Sequence, residues 1–506
     1  MIRTPVLIVG AGPSGLAVAI ELGRAGIDCV LVEPRATVTA GRPRAKTTSA
    51  RTMELLRRWG LADRVRAAAP LPVSYSQDVV FCSRVTGHEI TRFRNAFGMF
   101  DERRDEFAEC GQQIPQPVVE SVLREAVAEL PSVTFLTGQR LLAAKDGPDG
   151  VRAELIDEVV EARYLVGCDG AGGVTRDAIG ARYLGGSGER PNLNITFTSR
   201  GLTEDLLCAR AVHYWVLGAD VGGIVGPMDL HGTWWAIAQG VREGDPVALV
   251  RALVGADIDV EVQATDPWSA RMMLADTYRG ERTFLVGDAA HLNPPWGGHG
   301  YNTAIGDAVN LAWKLVAVLR GWGGPALLDS YEPERRPVAR LTIDAASAQE
   351  SRLARAYAHA GLDTDPTLRA EAAKALQAKR GEFHSLGLVL GYHYADSPAV
   401  TDDGTLVPEH DSLHYHGSGR PGTRLPHRWL PDGSSLYDHL GPGFTLLCNE
   451  NADPAPMARE AARLGVPLAV PATGGDTVLV RPDQHIAWRG TVPDPAALRR
   501  AAGHLA

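Results

Sequence analysis

The sequence contains no run of roughly 18 consecutive apolar residues, the length a helix needs to cross a bilayer. Its N-terminus, MIRTPVLIVGAG, lacks a charged head, a long apolar stretch and a small-residue cleavage site. A cytoplasmic protein with no membrane partner is expected. The six cysteines form no CxxC, no metal-type His/Cys spacing and no dense framework, which argues against a metal site or a disulfide scaffold and leaves reduced, mostly buried thiols. Positive charge is also short. A formal net charge of -9 leaves no basic surface for phosphate backbones, so nucleic acid is not an expected partner and a small molecule is. Low-complexity tracts are absent as well. What is present, 45% hydrophobic and 22% charged residues over 506 positions, fits a globular chain of about two to four units.

The first of these units opens on TPVLIVGAGPSGLAVAIELGRAGIDCVLVEPR. A β-branched apolar run is followed by Gly10, Gly12 and Gly15, an apolar helical stripe, and a second strand ending at Glu33. Gly10 permits a tight turn, Gly12 lets the backbone approach a pyrophosphate, and Gly15 lets the helix pack close to the sheet. The helix N-terminus then offers free amides and a positive dipole end. Glu33, about twenty residues on, is placed to accept hydrogen bonds from ribose hydroxyls and disfavours a 2′-phosphate. The reading is a dinucleotide site for NAD or FAD, between which this segment does not choose. Beyond it, RATVTAGRPRAKTTSARTMELLRRWGLADRVR is rich in arginine. Arg57, Arg58, Arg64 and Arg66 read as a solvated helix face, whereas Arg44, in the Pro/Gly loop before the helix, is placed to reach a phosphate or an aromatic ring.

Two later segments repeat the plan of strand, acid and glycine turn: ARYLVGCDGAGGVTRDAIG with Asp169, and ERTFLVGDAAH with Gly287 and Asp288. An acid at the carboxyl end of a buried strand lies at the crevice where open α/β sheets hold ligands, although Asp-Gly is also a common turn pair. Between them, positions 181 to 280 carry short aromatic and β-branched runs separated by Gly, Pro and Asp, which predict an antiparallel sheet able to roof the ligand. His213, Trp215, Trp234 and Trp235 are candidates to face it, but neighbouring strand residues point to opposite faces. Positions 287 to 315, GDAAHLNPPWGGHGYNTAIGDAVNLAWKL, pass through a Pro/Gly loop into a helical pattern, with Ile305, Ala308, Val309, Ala312 and Leu315 as the buried stripe from Thr303 onward.

Together, GAGPSG, Glu33, CDGAGGVTR and the 287–315 segment resemble the single-component FAD-dependent aromatic hydroxylases, the family of para-hydroxybenzoate hydroxylase and phenol hydroxylase. The resemblance covers essentially the whole chain. It implies an α/β fold: a Rossmann-like FAD-binding domain (1–75, 105–180 and 281–395), an inserted antiparallel β-sheet substrate domain (76–104 and 181–280), and a thioredoxin-like C-terminal domain (400–506) that lacks CxxC and is structural or oligomerising. RPRAKTTSARTMELL is similar to the family's flavin-contacting arginine loop, which implicates Arg44, and IPQPVVESVLREAV implicates Gln116 at the flavin ribityl region. SYEPERRPVA (330–339) is similar to the turn after the long helix.

Within the 287–315 loop, the resemblance implies that Asp288 holds ribityl hydroxyls and Pro295 lies against the flavin ring. Gly297, Gly298 and Gly300 leave room for the ring edge, and the amides of Tyr301 and Asn302 face its pyrimidine oxygen. His299 stands where many relatives have Gln, and Pro34 replaces a basic or polar residue. His213, Trp235, Pro295 and His299 are the candidates for the substrate pocket. The implied activity is NAD(P)H- and FAD-dependent monooxygenation of a phenolic, polyketide-like or hydroxy-heteroaromatic ring through a flavin hydroperoxide, NADPH being favoured and dioxygen the oxidant. The alternative is a related oxygenase carrying out epoxidation or Baeyer-Villiger insertion. No second dinucleotide fingerprint is present, as expected where NAD(P)H docks transiently, and TWWAIAQ does not supply the WxWxIP of a tryptophan-type halogenase. A homo-oligomer is compatible with these features.

Overall fold

Continuous apolar runs such as VLIV and CVLV bury both faces of a strand, as a parallel sheet covered by helices requires. In the computed structural model, which describes residues 1–39, 44–349, 360–407 and 409–504, they do so. Val133–Thr137, Cys29–Glu33, Ile2–Val9 and Val159–Gly167 lie side by side in parallel in that order. The last strand is shared. Its first half pairs antiparallel with Gly150–Leu155 and its end pairs in parallel with Thr283–Leu285. Strand order reverses beside Ile2–Val9, so Val9 and Gly167, paired neighbours, end at a crevice of the kind that holds ligands in such sheets. Helices Pro13–Arg24 and His299–Leu319 pack together on one face over Leu16, Ile20, Phe284 and Ile305.

The aromatic and β-branched runs form an eight-stranded sheet. Its central strands Tyr183–Thr198, Thr233–Gln239, Gly222–Pro227 and His213–Leu217 are antiparallel neighbours. Val79–Cys82 joins in parallel beside His213–Leu217, and Glu89–Phe93 closes that edge. The other edge is His291–Leu292, from the segment assigned to the nucleotide domain. Residues Leu362, Ala372, Leu376 and Phe383 also pack on this sheet, against Phe81, Phe93 and Trp215. Part of the 281–395 segment therefore serves the roof rather than the parallel sheet.

The C-terminal sheet has the order Leu468–Ala469, Phe444–Leu447, Val478–Val480, Ile486–Arg489. Its first pair is parallel across helix Ala455–Leu464 and the rest antiparallel, followed by helix Pro495–Ala501, a thioredoxin-like arrangement. This unit is seated on the long helix: Trp313 and Trp322 meet the Phe444 ring edge-on.

Several expectations are corrected. The long helix begins at His299, two residues ahead of the Tyr301 and Asn302 amides expected at its start, with Gly298 at φ 68° as its N-cap. The segment 330–339 is not a turn but the start of helix Tyr331–Ala348. Pro333 falls in its first turn, where the N–H has no helical partner anyway, and the hydrogen bond lost at Pro337 is offset by burial of Tyr331, Arg335 and Val338. Arg57, Arg58 and Arg66 are not a solvated face: they pair with Asp438 and Glu109, with Glu21, and with Glu109 respectively. All six cysteines are free thiols. Among the described residues no helix is long and apolar enough to cross a membrane, and no group of side chains is arranged to hold a metal ion.

Candidate active site

A cavity of about 820 Å³ runs from the ends of the parallel strands to the underside of the large sheet. At its nucleotide end two of the three glycines have a steric reason within the protein. Gly10 has φ +100°, and a Cβ there would lie 2.3 Å from the Cys168 carbonyl oxygen. At Gly15 it would lie 1.8 Å from the Gly10 oxygen, while at Gly12 it would meet nothing within 4 Å. Gly12 also caps helix Pro13–Arg24 without a side-chain hydrogen bond, so the helix's first amides open onto bare space, a ready anion site. Glu33 is buried beside it, accepting from the Ala11 amide at 2.9 Å and from Arg35 Nε at 2.7 Å. Burial alone would raise its carboxyl, but Arg35 and the two amides hold it below the usual value. Oε1 is filled by the Arg35 amide and Nε, whereas Oε2 takes only the Ala11 amide and keeps a second lone pair for a ligand hydroxyl.

Asp169 folds back over Gly173, where a Cβ would sit 2.0 Å from its Cγ, and accepts from the Thr175 amide at 3.0 Å. It thus caps helix Val174–Ala178 from the cavity wall, and burial raises its carboxyl. Gln116, also on the wall, donates to Glu120 at 2.7 Å, and among the described residues no donor meets its amide oxygen. Arg44 is exposed on the cavity wall at φ 27°, a left-handed conformation uncommon for a non-glycine residue. Its neighbours 40–43 lie outside the described residues.

Asp288 is exposed on the wall of the cavity. Withdrawal from bulk water raises its carboxyl, opposed by His291, Arg44 and Arg271, and among the described residues no donor meets its carboxylate. Pro295, Gly298, Gly300 and Tyr301 line the adjoining wall. His299 folds over Gly297, whose Cβ would lie 2.3 Å from its Nε2; burial lowers its ring to about 4, so it is neutral at pH 7.

Asn302 is off the wall. It accepts from the Ser49 amide at 2.9 Å and Thr52 Oγ1 at 2.7 Å, and donates to the carbonyls of Thr47 and Gly298 at 3.0 and 2.8 Å. It ties the arginine loop to the helix start. Gly15 and Gly287 likewise sit behind the wall, Gly287 pressed against Ala304 and Ser14. Asn302→Ala is expected to cost about 2 kcal/mol, because it orphans one buried amide and two carbonyls; a lowered urea midpoint at unchanged slope measures it.

The roof contributes the aromatic end. His213, Trp215 and Trp235 face the cavity, whereas Trp234 points into the opposite core with Phe197 and Tyr214, as strand alternation demands. His213 stands edge-on to Trp235, and burial with the nearby Lys46 lowers its ring to about 3. Gln113 accepts from Thr47 Oγ1 at 3.4 Å and directs its amide nitrogen to His213 Nε2 at 3.3 Å. An amide nitrogen only donates, so Nε2 accepts and the ring proton sits on Nδ1. Sequence reasoning missed Lys46, Gln113, Phe97, Trp268 and the pair Glu382–Phe383, all close to this end. Lys46 alone carried a signal, lying two residues beyond Arg44 in an extended stretch.

Residues 3–346 match the family model described as FAD binding domain, and 418–506 match the one described as aromatic-ring hydroxylase, C-terminal. The chain is 31% identical to phenol 2-monooxygenase of Pseudomonas sp. (strain EST1001), over 98% of this chain and 91% of that protein. It is 31% identical to tetracenomycin B2 monooxygenase-dioxygenase of Streptomyces olivaceus, over 98% and 97%. A solved structure of RebC with bound 7-carboxy-K252c, soaked with chromopyrrolic acid, superposes with a TM-score of 0.91 at 34% identity, covering 100% of both chains.

Proposed function

Because this chain belongs to the family of FAD-dependent aromatic-ring hydroxylases, we propose that it hydroxylates a phenolic or hydroxy-heteroaromatic ring of polycyclic size, with NAD(P)H and dioxygen as co-substrates. The carrying observation is one continuous cavity with a dinucleotide cradle at one end and an aromatic box at the other. Bound FAD supplies activated oxygen from dioxygen at the expense of NAD(P)H. The chain's own residues fit that group. The open Gly12 cradle and the first amides of Pro13–Arg24 take the pyrophosphate, Glu33 the ribose, and the unpartnered Asp288 carboxylate the ribityl hydroxyls. The positive end of helix His299–Leu319 opens on the same cavity and favours negative charge there. Trp215, Trp235 and Phe383 orient a flat ring and exclude water. Polycyclic size is supported by the ligand named for RebC and by the tetracenomycin relative.

The test is stopped-flow absorbance of FAD-loaded protein with NADPH and a panel of phenols and hydroxylated polycycles. Flavin reduction is expected to accelerate with a matching ring, and aerobic turnover to place one atom of labelled dioxygen in the product. A chain that binds no flavin on reconstitution overturns the reading.

A further inference from the structure

We propose that Lys46 is the counter-ion of the ionised ring hydroxyl: its ammonium, seated on the face of Trp235 in the aromatic half of the cavity, binds the substrate as a phenolate. This rests on the aromatic-hydroxylase reading above and names the group that makes the ring electron-rich.

Lys46 precedes the short strand Thr47–Thr48 and is half-buried on the cavity wall. Its Nζ lies 4.2 Å from the centroid of the Trp235 ring and donates to the Arg44 carbonyl at 3.1 Å. An ammonium has three donors, so these contacts leave part of it unsatisfied. Among the described residues no carboxylate pairs with it. The acids of the same cavity are turned elsewhere: Glu33 to Arg35, Glu120 to Gln116, Asp169 to Thr175 and Glu382 to Lys379. Asp288 is influenced by His291, Arg44 and Arg271. Burial alone moves the Lys46 ammonium, down to about 8. A partly desolvated cation without a counter-ion is costly, and an anionic ligand removes that cost.

The surroundings select the anion. Phosphates belong at the Gly12 end. Beside Lys46 stand Trp235, on which it rests, and neutral His213, the titratable group it faces from the roof, with Nδ1–H as a second donor; Arg44 is the charged neighbour on its own loop. A phenolate oxygen on a flat ring suits one cation, one neutral donor and aromatic walls. A phenol entering beside the amine form gives its proton to Nζ, the O–H bond breaking as the N–H bond forms; beside the ammonium form it gives that proton to water. Both routes end in the same ion pair.

The test uses FAD-loaded native protein, Lys46→Met and Lys46→Arg, with 7-hydroxycoumarin, whose absorption reports ionisation of its hydroxyl, and 7-methoxycoumarin as the uncharged control. In the native protein bound 7-hydroxycoumarin is expected to ionise at a pH lower by about one unit, roughly a tenfold preference for the anion. Lys46→Met should lose that shift while keeping FAD and 7-methoxycoumarin affinity; Lys46→Arg should keep it. In turnover of a phenol, kcat of Lys46→Met should fall at neutral pH and recover above the substrate's own ionisation. An unchanged shift in Lys46→Met overturns the proposal. So does a variant that alters only the reduced flavin spectrum, which would make the flavin the partner of Lys46. Native protein that binds both probes without an ionisation shift overturns this inference alone, whereas native protein that binds FAD but neither probe nor any phenol overturns the function reading with it.

Discussion

Gly12→Asp is expected to give a folded protein that no longer holds FAD. Gly12 lies at φ -72° and ψ -179°, extended backbone that any residue adopts, and its missing Cβ faces empty space. The substitution therefore costs the fold nothing, and aspartate is a favoured N-cap that should strengthen helix Pro13–Arg24. The same carboxylate takes the helix amides for itself and sets a negative charge where the pyrophosphate must lie. Like charges forced together cost several kcal/mol, so FAD affinity should fall at least a hundredfold, roughly 3 kcal/mol. Gly10→Ala and Gly15→Ala are expected to behave in the opposite way and fail to fold, since their Cβ atoms would lie 2.3 and 1.8 Å from backbone oxygens. Circular dichroism and a urea midpoint of the apo protein, beside an FAD titration by fluorescence quenching, separate the two classes. Native FAD affinity in Gly12→Asp would show that the anion lies elsewhere.

That contrast also explains what was legible in the sequence. Gly10 and Gly15 could be assigned roles because only glycine meets their steric demand, which leaves a mark on residue type, whereas Gly12 meets no neighbour within the protein and was legible only through its spacing from the other two. Trp234 and Trp235 could be narrowed but not resolved: alternation guarantees that one faces the cavity, while the register of Trp235 opposite Thr196 and Gly226 decides which. Glu382 and Phe383 were invisible, because the four-residue helix that carries them has no periodicity to read and reaches the cavity only by packing on Phe81 and Trp215. Asn302 was implicated through its main-chain amide at the helix start, and the work of its side chain, whose amide is spent on backbone and hydroxyl groups of the arginine loop and on the Gly298 carbonyl, left no mark in the sequence. The segment 330–339 reads as a turn only from its resemblance, and helix Tyr331–Ala348 runs through Pro337 because burial of the surrounding residues outweighs one missing hydrogen bond.

Arg481→Met is expected to be among the most damaging single changes away from the cavity. Arg481 is fully buried, donating at 2.7 and 2.8 Å to the two oxygens of Glu334 and at 3.1 and 2.7 Å to those of Asp483. Glu334 also receives Lys314 at 2.7 Å, Asn310 at 2.6 Å and Ser397 at 2.5 Å. Arg481 follows a C-terminal strand, Glu334 sits on helix Tyr331–Ala348 and Lys314 on the long helix, so the cluster fastens the C-terminal unit to the nucleotide domain. Removing the guanidinium leaves two buried carboxylates facing one lysine, at a cost of about 3–5 kcal/mol.

The sign of the pH dependence separates charge from packing. Burial opposes ionisation of Glu334, but Arg481 and Lys314 prevail and hold its carboxyl at about 2 against the usual 4.5. A carboxylate depressed in the folded state stabilises fully above 4.5 and loses that contribution as pH falls toward 2. The native protein should therefore weaken across that window. In Arg481→Met burial is no longer outweighed to the same extent, the Glu334 and Asp483 carboxyls rise, and protonation relieves the unpaired charge. The variant's deficit should accordingly shrink on acidification, read as converging urea midpoints between pH 7 and the start of native acid unfolding. A deficit that stays constant with pH would assign the cost to lost packing around Trp313 and Tyr394, which the Arg481 guanidinium overlies at 5.2 and 5.1 Å.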